Sequence, residues 1–168
     1  PVRHPKAVAM TECNTPTLEF SGLGRRRVVA DFSGGDITSD AGLLLLRETE
    51  KQLGLLDRLD AAIADPRDPE RITHDQRTLL AQRVFAIAAG YEDLNDHDTL
   101  RLDPLLQTVV DRGPDGASPL GSDSTLCRLE NRITRADLYR ISEVIVDTFV
   151  ASFDAPPDQA LRMQLFFT

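Results

Sequence analysis

The sequence contains little cysteine, few aromatic residues and no long apolar run. Its two cysteines, Cys13 and Cys127, are too few for a disulfide framework and have no spacing typical of zinc ligands. Aromatic residues make up 5% of the 168 residues and tryptophan is absent, so the core has to be built from aliphatic side chains. No apolar run has the length needed to cross a bilayer, and none follows the first basic residues as in a secretion signal. These absences exclude disulfide-rich secreted proteins and membrane proteins, and they favour the cytoplasm.

Charge is distributed unevenly along the chain. Acidic residues outnumber basic ones by 27 to 19, which gives a net charge of −8. Residues 1–30 carry a net +3, residues 31–120 a net −9 and residues 121–168 a net −2. A pI of about 4.8 argues against a histone-like protein that binds nucleic acid without specificity. It remains compatible with a local basic surface, so composition leaves the function open.

Two short strands are predicted near the N-terminus. Leu18 and Phe20 alternate with polar neighbours, Gly22 and Gly24 supply a turn, and Val28 follows on the other side. We therefore predict a β-hairpin over residues 17–33. Three prolines and no apolar periodicity come before it, so residues 1–16 are expected to form a disordered lead.

Residues 38–153 show the periodicity and capping signals of successive helices. A hydroxyl cap at Thr38 or Ser39 predicts a helix that Gly54 ends, and Asp103 before a proline predicts another helix start. The other predictions are a helix over residues 55–63, capping boxes beginning at Thr73 and Thr134, a cap at Asn95 and a cap at Ser122.

Apolar spacing also predicts which helix faces are buried. After the Thr73 cap the predicted face is Leu80, Val84, Ile87 and Ala88. In the last long helix it is Leu138, Ile141, Ile145 and Phe149. A proline pair at 156–157 ends that helix, and residues 154–168 are expected to be a linker and divergent tail. The predicted fold class is mainly α, a multi-helix domain preceded by a short N-terminal β-hairpin.

The densest polar cluster is an acidic block over residues 90–104. Its metal-ligand types are Glu92, Asp93, Asp96, His97 and Asp98. They allow a small metal-dependent enzyme as an alternative, yet the block lacks the glycine and terminal glutamate of a calcium loop. Carboxylates in the first turn of a helix are explained by the helix dipole alone. We therefore predict no metal site. If the block packs against a further domain, it should be exposed and mobile in this chain. No histidine or cysteine has a partner at the spacing of a catalytic nucleophile, so no catalytic residue is predicted.

Basic side chains cluster at two places. Three consecutive arginines occupy positions 25–27, and arginines at 128 and 132 lie one turn apart on a predicted helix, with hydroxyl and amide side chains beside them. Such groups contact phosphates and base edges. The predicted DNA-binding residues are Arg128, Arg132, Ser124, Thr125, Asn131, Arg25, Arg26 and Arg27. An ordinary solvated helix face explains the same pattern and keeps about equal weight.

Several sequence blocks occur in a distinctive order. They are residues 30–35 (ADFSGG), 39–48 (SDAGLLLLRE), 65–69 (DPRDP), 90–98 (GYEDLNDHD), 100–104 (LRLDP) and 124–132 (STLCRLENR). Together these blocks resemble the N-terminal region of bacterial insertion-sequence transposases of the DDE group 1 family. The resemblance extends over about residues 18–157.

The resemblance implies a following RNase-H-like domain, in which three carboxylates hold two divalent metal ions for phosphodiester strand transfer, with magnesium the implied ion of the full-length family. Residues 159–168 contain no Asp or Glu, so no catalytic carboxylate is placed on this sequence. We therefore expect a truncated product, with no catalytic residue and no cofactor of its own, and inactive when alone.

The sequence thus predicts a DNA-binding and assembly region that acts in DNA transposition. Its expected partners are the terminal inverted repeats of an insertion sequence, with a second copy or the full-length transposase as protein partner, in the bacterial cytoplasm and on the nucleoid. The alternative is a helical protein-interaction module, dimerising or inhibitory, without DNA contact. The −9 charge of residues 31–120 favours that alternative, because negative charge repels DNA.

Overall fold

The computed structural model describes residues 17–34, 37–114 and 118–153. The predicted lead at 1–16 and the predicted linker and tail at 154–168 lie outside these residues. Two strands, β1 (Leu18–Leu23) and β2 (Arg26–Ala30), precede the helices. The helices of the described part are α1 (Leu43–Leu53), α2 (Leu55–Ala62), α3 (Gln76–Ala88), α4 (His97–Leu100), α5 (Pro104–Val109), α6 (Asp123–Arg132) and α7 (Arg135–Ala151), with short 3-10 turns at Pro69–Arg71 and Leu94–Asp96. The predicted fold class is confirmed.

The β1–β2 hairpin packs against α1 through one buried arginine. The strands pair antiparallel, and Gly24 turns between them with a φ of 59°. Arg47 of α1 is 1% exposed and donates to the carbonyl oxygen of Ser21 at 2.7 Å. Its charge is offset by the Asp111 carboxylate at 2.6 Å, as a buried cation requires. Arg47 therefore joins the hairpin, α1 and the end of α5.

Helices α1, α2, α3 and α5 enclose the main apolar core. Its buried side chains include Leu44, Leu56, Phe85, Val109 and Leu120. A second, smaller cluster joins Leu79 of α3 to Leu126 and Leu129 of α6. Within the described residues, no helix is long and apolar enough to span a bilayer.

Several helix starts differ from the sequence prediction. Helix α1 begins after Gly42 instead of the predicted hydroxyl cap at 38 or 39. Asp75, rather than the hydroxyl at 73, caps α3 by accepting from the Thr78 amide at 2.7 Å. Asp93, rather than the amide side chain at 95, caps the turn before α4. In α3 and before α4, a carboxylate close to the predicted cap accepts the free amide hydrogen of the first turn.

Other helix ends follow the prediction. Asp103 caps α5 by accepting from the Leu106 amide at 2.7 Å, and Gly54 ends α1 in the left-handed conformation. Thr134 and Asp137 form the predicted capping box of α7. Ser122 is the N-cap residue of α6, but its side chain makes no capping hydrogen bond.

The predicted buried faces of α3 and α7 are partly wrong. In α3, Val84 and Ile87 are 37% and 47% exposed, while the polar Gln82 is fully buried. In α7, Leu138, Ile145 and Phe149 are 40%, 41% and 39% exposed, while Ile141 of the predicted face packs against the core. Helix α3 contacts α1, α2, α5 and α6, so its buried stripe is wider than an apolar pattern indicates.

Candidate nucleic-acid interface

Helix α6 is fixed to the core on one side and open on the other. Leu126 and Leu129 bury its inner side against α3. Arg83 of α3 pairs with Glu130 at 2.6 Å, which adds a polar contact at the edge. The outer side carries Arg128 and Cys127, both exposed. The helix therefore presents a fixed row of polar side chains.

Arg132 is already engaged within the fold. Its guanidinium binds the Asp65 carboxylate at 2.8 Å and the Gln76 side-chain oxygen. Arg67 holds the same carboxylate with two nitrogens, at 2.8 and 2.7 Å. These contacts, led by the Arg67 hydrogen bonds, lower the pKa of Asp65 from 3.8 to about 2. A phosphate would thus have to compete with Asp65 for Arg132.

Arg128 is different because its charge is unmatched. It is exposed, and within the described residues its side chain has no ion pair or hydrogen bond. It stands beside Thr125 on the border of an open cleft of about 500 Å³ between α6 and residues 66–74. We call this feature the arginine cleft. Its basic lining residues are Arg67, Arg71, His74, Arg101, Arg128 and Arg132.

The arginine cleft is positively charged although the chain as a whole is negative. In the described part of the chain no acidic residue lines it, and the carboxylates that pair with its arginines there are Asp65 and Asp68. Asp60 and Asp75 also act on Arg67 from outside the lining, so five guanidinium groups against four carboxylates leave a smaller positive excess. Burial and the neighbouring charges of Arg112 and Arg101 hold the pKa of His74 below its ordinary value of 6.5. This field attracts anions.

The polar groups of the cleft wall have unused hydrogen-bonding capacity. The His74 Nδ1 and Arg132 Nε atoms are buried without a hydrogen-bond partner among the described residues. The hydroxyls of Ser122 and Thr125 lie 3.1 Å apart at the start of α6, where the helix dipole is positive. Together with the arginines they form a donor-rich surface suited to phosphate oxygens.

The other predicted DNA-binding residues lie outside the cleft lining. Asn131 donates to the Cys127 sulfur at 3.1 Å, and the Ser124 hydroxyl lies 3.1 Å from that of Ser122. The three arginines at 25–27 belong to the hairpin, where Arg27 pairs with Glu19. The structure therefore brings together three of the predicted residues, Thr125, Arg128 and Arg132, and leaves the others elsewhere.

Sequence reasoning missed four basic cleft residues. They are Arg67, Arg71, His74 and Arg101. Arg67 lies in the DPRDP block and Arg101 in the LRLDP block, so the distinctive blocks were themselves the signal. Turns and loops between α2 and α3 and between α4 and α5 bring these blocks to α6, and no helical periodicity shows such a contact.

The acidic block is exposed at most of its carboxylates and anchored to the core by its histidine. His97 is fully buried, and its Nδ1 lies 3.1 Å from the side-chain nitrogen of Gln82. The turn at Leu94–Asp96 also contacts α6. The acidic side chains of the block at 92, 93, 96 and 98 are exposed. The block therefore packs against α6 through its turn while these carboxylates face solvent.

The arrangement of carboxylates does not fit the divalent ion that the resemblance implies. Among residues 17–34, 37–114 and 118–153, no three His, Cys, Asp or Glu side chains are placed to hold a metal ion. Asp65, the carboxylate beside the cleft, is held by two arginines. No metal-dependent step is derived from these residues.

One protein-family model matches the chain and shows the family to which it belongs. The family model described as transposase DDE domain group 1 matches residues 20–161, which is most of the chain. The chain belongs to this DDE transposase family. All lining residues of the arginine cleft lie within the matched range of the transposase. Membership implies a role in transposition and an interaction with DNA. No curated protein and no solved structure gives a significant match to this transposase chain.

Proposed function

We propose that this chain is the N-terminal DNA-binding and assembly region of a bacterial insertion-sequence transposase, acting at the terminal inverted repeats. Strand cleavage then belongs to an RNase-H-like domain that the described residues do not include. Such a protein works in the bacterial cytoplasm, on the nucleoid. The observation that carries the proposal is the arginine cleft, a positive surface in a chain of net charge −8.

Exposed residues on the cleft border are the proposed contacts to duplex phosphates. Arg128 and Arg71 are both exposed, and the hydroxyls of Ser122 and Thr125 stand beside Arg128. Arginine pairs with phosphate through two parallel hydrogen bonds, and hydroxyls add further donors. Arg132 contributes chiefly by holding residues 65–76 against α6. The arginines at 25–27 extend the proposed phosphate contacts to the hairpin.

Fluorescence anisotropy with labelled inverted-repeat duplex tests the proposal. Arg128→Ala should weaken binding and lower the slope of log K against log salt by roughly 1, because one phosphate contact is lost. Arg135→Ala is the matched control, since Arg135 is an exposed arginine on α7 outside the cleft lining. Equal salt slopes for Arg128→Ala and the unmodified chain would show that Arg128 makes no phosphate contact and that α6 is not part of the DNA interface.

A protein-interaction module is the second candidate function, and the outer surface of α7 favours it. Tyr139, Val146 and Val150 are 58%, 37% and 54% exposed, so this helix presents apolar area to solvent. Sedimentation with and without inverted-repeat DNA separates the two candidates. Self-association without a DNA-dependent shift would support the interaction module.

A further inference from the structure

The interior of the arginine cleft is too small for the duplex that its border would contact. Its volume of about 500 Å³ lies within the range of small-ligand pockets, roughly 300–1,000 Å³. A double helix, whose major groove alone is about 12 Å wide, can only lie across the opening. The space below the border therefore suits one nucleotide.

The chemistry of the lining also matches a nucleotide. Arg101 and Arg128 supply guanidinium groups that have no ion pair within the described residues. Pro66 and Ile72 are the accessible apolar residues of the same lining, since its three leucines are buried in the core. Guanidinium groups bind phosphate in a planar fork and also stack on bases, and apolar surface accepts a base face.

Arg101 is held so that its side chain is free for a ligand. Its carbonyl oxygen accepts from the Leu120 amide at 3.0 Å and from the Gln107 side chain at 3.1 Å. These main-chain contacts fix the position of the residue and do not use the guanidinium. Removing the side chain should therefore leave the local fold intact.

We infer that the arginine cleft binds a single unpaired nucleotide of a DNA strand, with its phosphate on Arg101 and Arg128 and its base against the apolar lining. The inference rests on the proposed function, since it presumes that DNA reaches this surface. A free nucleotide shares the same chemistry. We place the nucleotide in a strand because Arg71, exposed at the cleft border, can hold the adjoining phosphate.

The test compares two probes that differ in one nucleotide. One is a fully paired inverted-repeat duplex, and the other is the same duplex with one extra, unpaired 2-aminopurine nucleotide. We expect the second probe to bind about tenfold more tightly, the order of effect of one hydrogen bond to a charged group, with a change in 2-aminopurine fluorescence. Titration with deoxyadenosine monophosphate and with inorganic phosphate forms two further arms.

Variants identify the site. Arg101→Ala should abolish the preference for the unpaired nucleotide, so that this variant binds the two probes with equal affinity. Arg101→Lys should restore only part of the preference, because an ammonium keeps the charge but lacks the planar fork. Arg135→Ala is again the matched control, and circular dichroism spectra confirm that each variant is folded.

The outcomes separate this inference from the proposed function. Equal affinity for both probes, or a preference that survives Arg101→Ala, overturns the inference and leaves duplex binding in place. Binding of neither DNA probe overturns the proposed function, and the inference with it. Tighter binding of the free mononucleotide than of the unpaired probe would make the cleft a site for a free nucleotide. That result would refute the inference that the bound nucleotide belongs to a DNA strand.

Discussion

Gln82 and Gly121 hold each other through two reciprocal hydrogen bonds. The Gln82 side-chain nitrogen donates to the Gly121 carbonyl at 2.8 Å, and the Gly121 amide donates to the Gln82 side-chain oxygen at 2.9 Å. The Gln82 side-chain amide thus satisfies both backbone groups of Gly121, as the backbone of a neighbouring β-strand would. Because Gly121 comes just before α6, this pair sets where α6 and its arginines lie relative to α3.

We expect Gly121→Ala to destabilise the protein by about 1–3 kcal/mol, because an added methyl group overpacks the site. A Cβ at this position would lie 2.6 Å from the Leu79 Cδ2 atom and 3.1 Å from the Gln82 oxygen. Urea unfolding measures the change. Gly42→Ala is the matched control: its φ of −56° suits alanine and its Cβ would meet nothing within 4 Å, so stability should be unchanged or slightly higher. Equal midpoints for the two variants would contradict the packing at Gly121.

Stability should fall as the pH is lowered from 7.5 to 5.5, because His97 is buried in its neutral form. The Gln82 nitrogen donates to its Nδ1, so the ring proton is on Nε2. Burial lowers the pKa of His97 below 6.5, and the unfolded chain therefore binds more protons across this range. That stability is fully present above pH 6.5 and is lost as the pH falls toward the folded-state pKa.

Urea unfolding at several pH values checks this expectation. His97→Gln should reduce the pH dependence, and His74→Gln should remove a further part, because the pKa of His74 is lowered in the same direction. An unchanged pH dependence in the His97→Gln variant would show that this ring is not buried and neutral.

Asp65→Asn should destabilise the protein by about 1–3 kcal/mol, because Arg67 and Arg132 both lose their carboxylate partner. The depressed pKa of Asp65 means that its contribution is present above pH 3.8 and is lost as the pH falls through about 2. Acid titration followed by circular dichroism should show this component in the unmodified protein and not in the variant. Asp147→Asn is a control on α7, where the carboxylate is 71% exposed. Identical acid transitions in Asp65→Asn and the unmodified chain would exclude this role.

Shortening two side chains of α7 that lie one helical turn apart should have unequal effects on stability. Ile141→Ala should cost about 1–2 kcal/mol because the side chain packs against the core, whereas Ile145→Ala should stay within about 0.5 kcal/mol because Ile145 is 41% exposed. Thermal unfolding of the two variants gives the comparison. Equal losses would mean that the originally predicted face, with both residues buried, is the right one.

Local signals predicted most of the secondary structure. Asp103 before a proline, Thr134 three residues before Asp137, and Gly54 at the end of α1 each satisfy the free backbone groups of a helix end. Such groups are satisfied by residues a few positions away, so the sequence is sufficient to place the helix. At α3 the sequence placed the cap at Thr73, whereas the structure has it two residues later, at Asp75.

Helix faces and the cleft were harder to predict. Gln82 is polar yet fully buried, because its partners Gly121 and His97 come from distant parts of the chain. Arg132 and Arg128 lie one turn apart, yet Arg132 is held by Asp65, while Arg128 has no ion pair among the residues that the structure describes. Residues 65–74 pass beside one end of α6, and no property of α6 itself reveals that.

The sequence by itself determined the fold class, the order of the helices and the transposase family, because these depend on short-range spacing and on blocks read along the chain. Only the tertiary structure decided which arginines face a common space and which are neutralised. Charges act through distance in space, and segments 67–74, 101 and 125–132 become neighbours only when the helices pack.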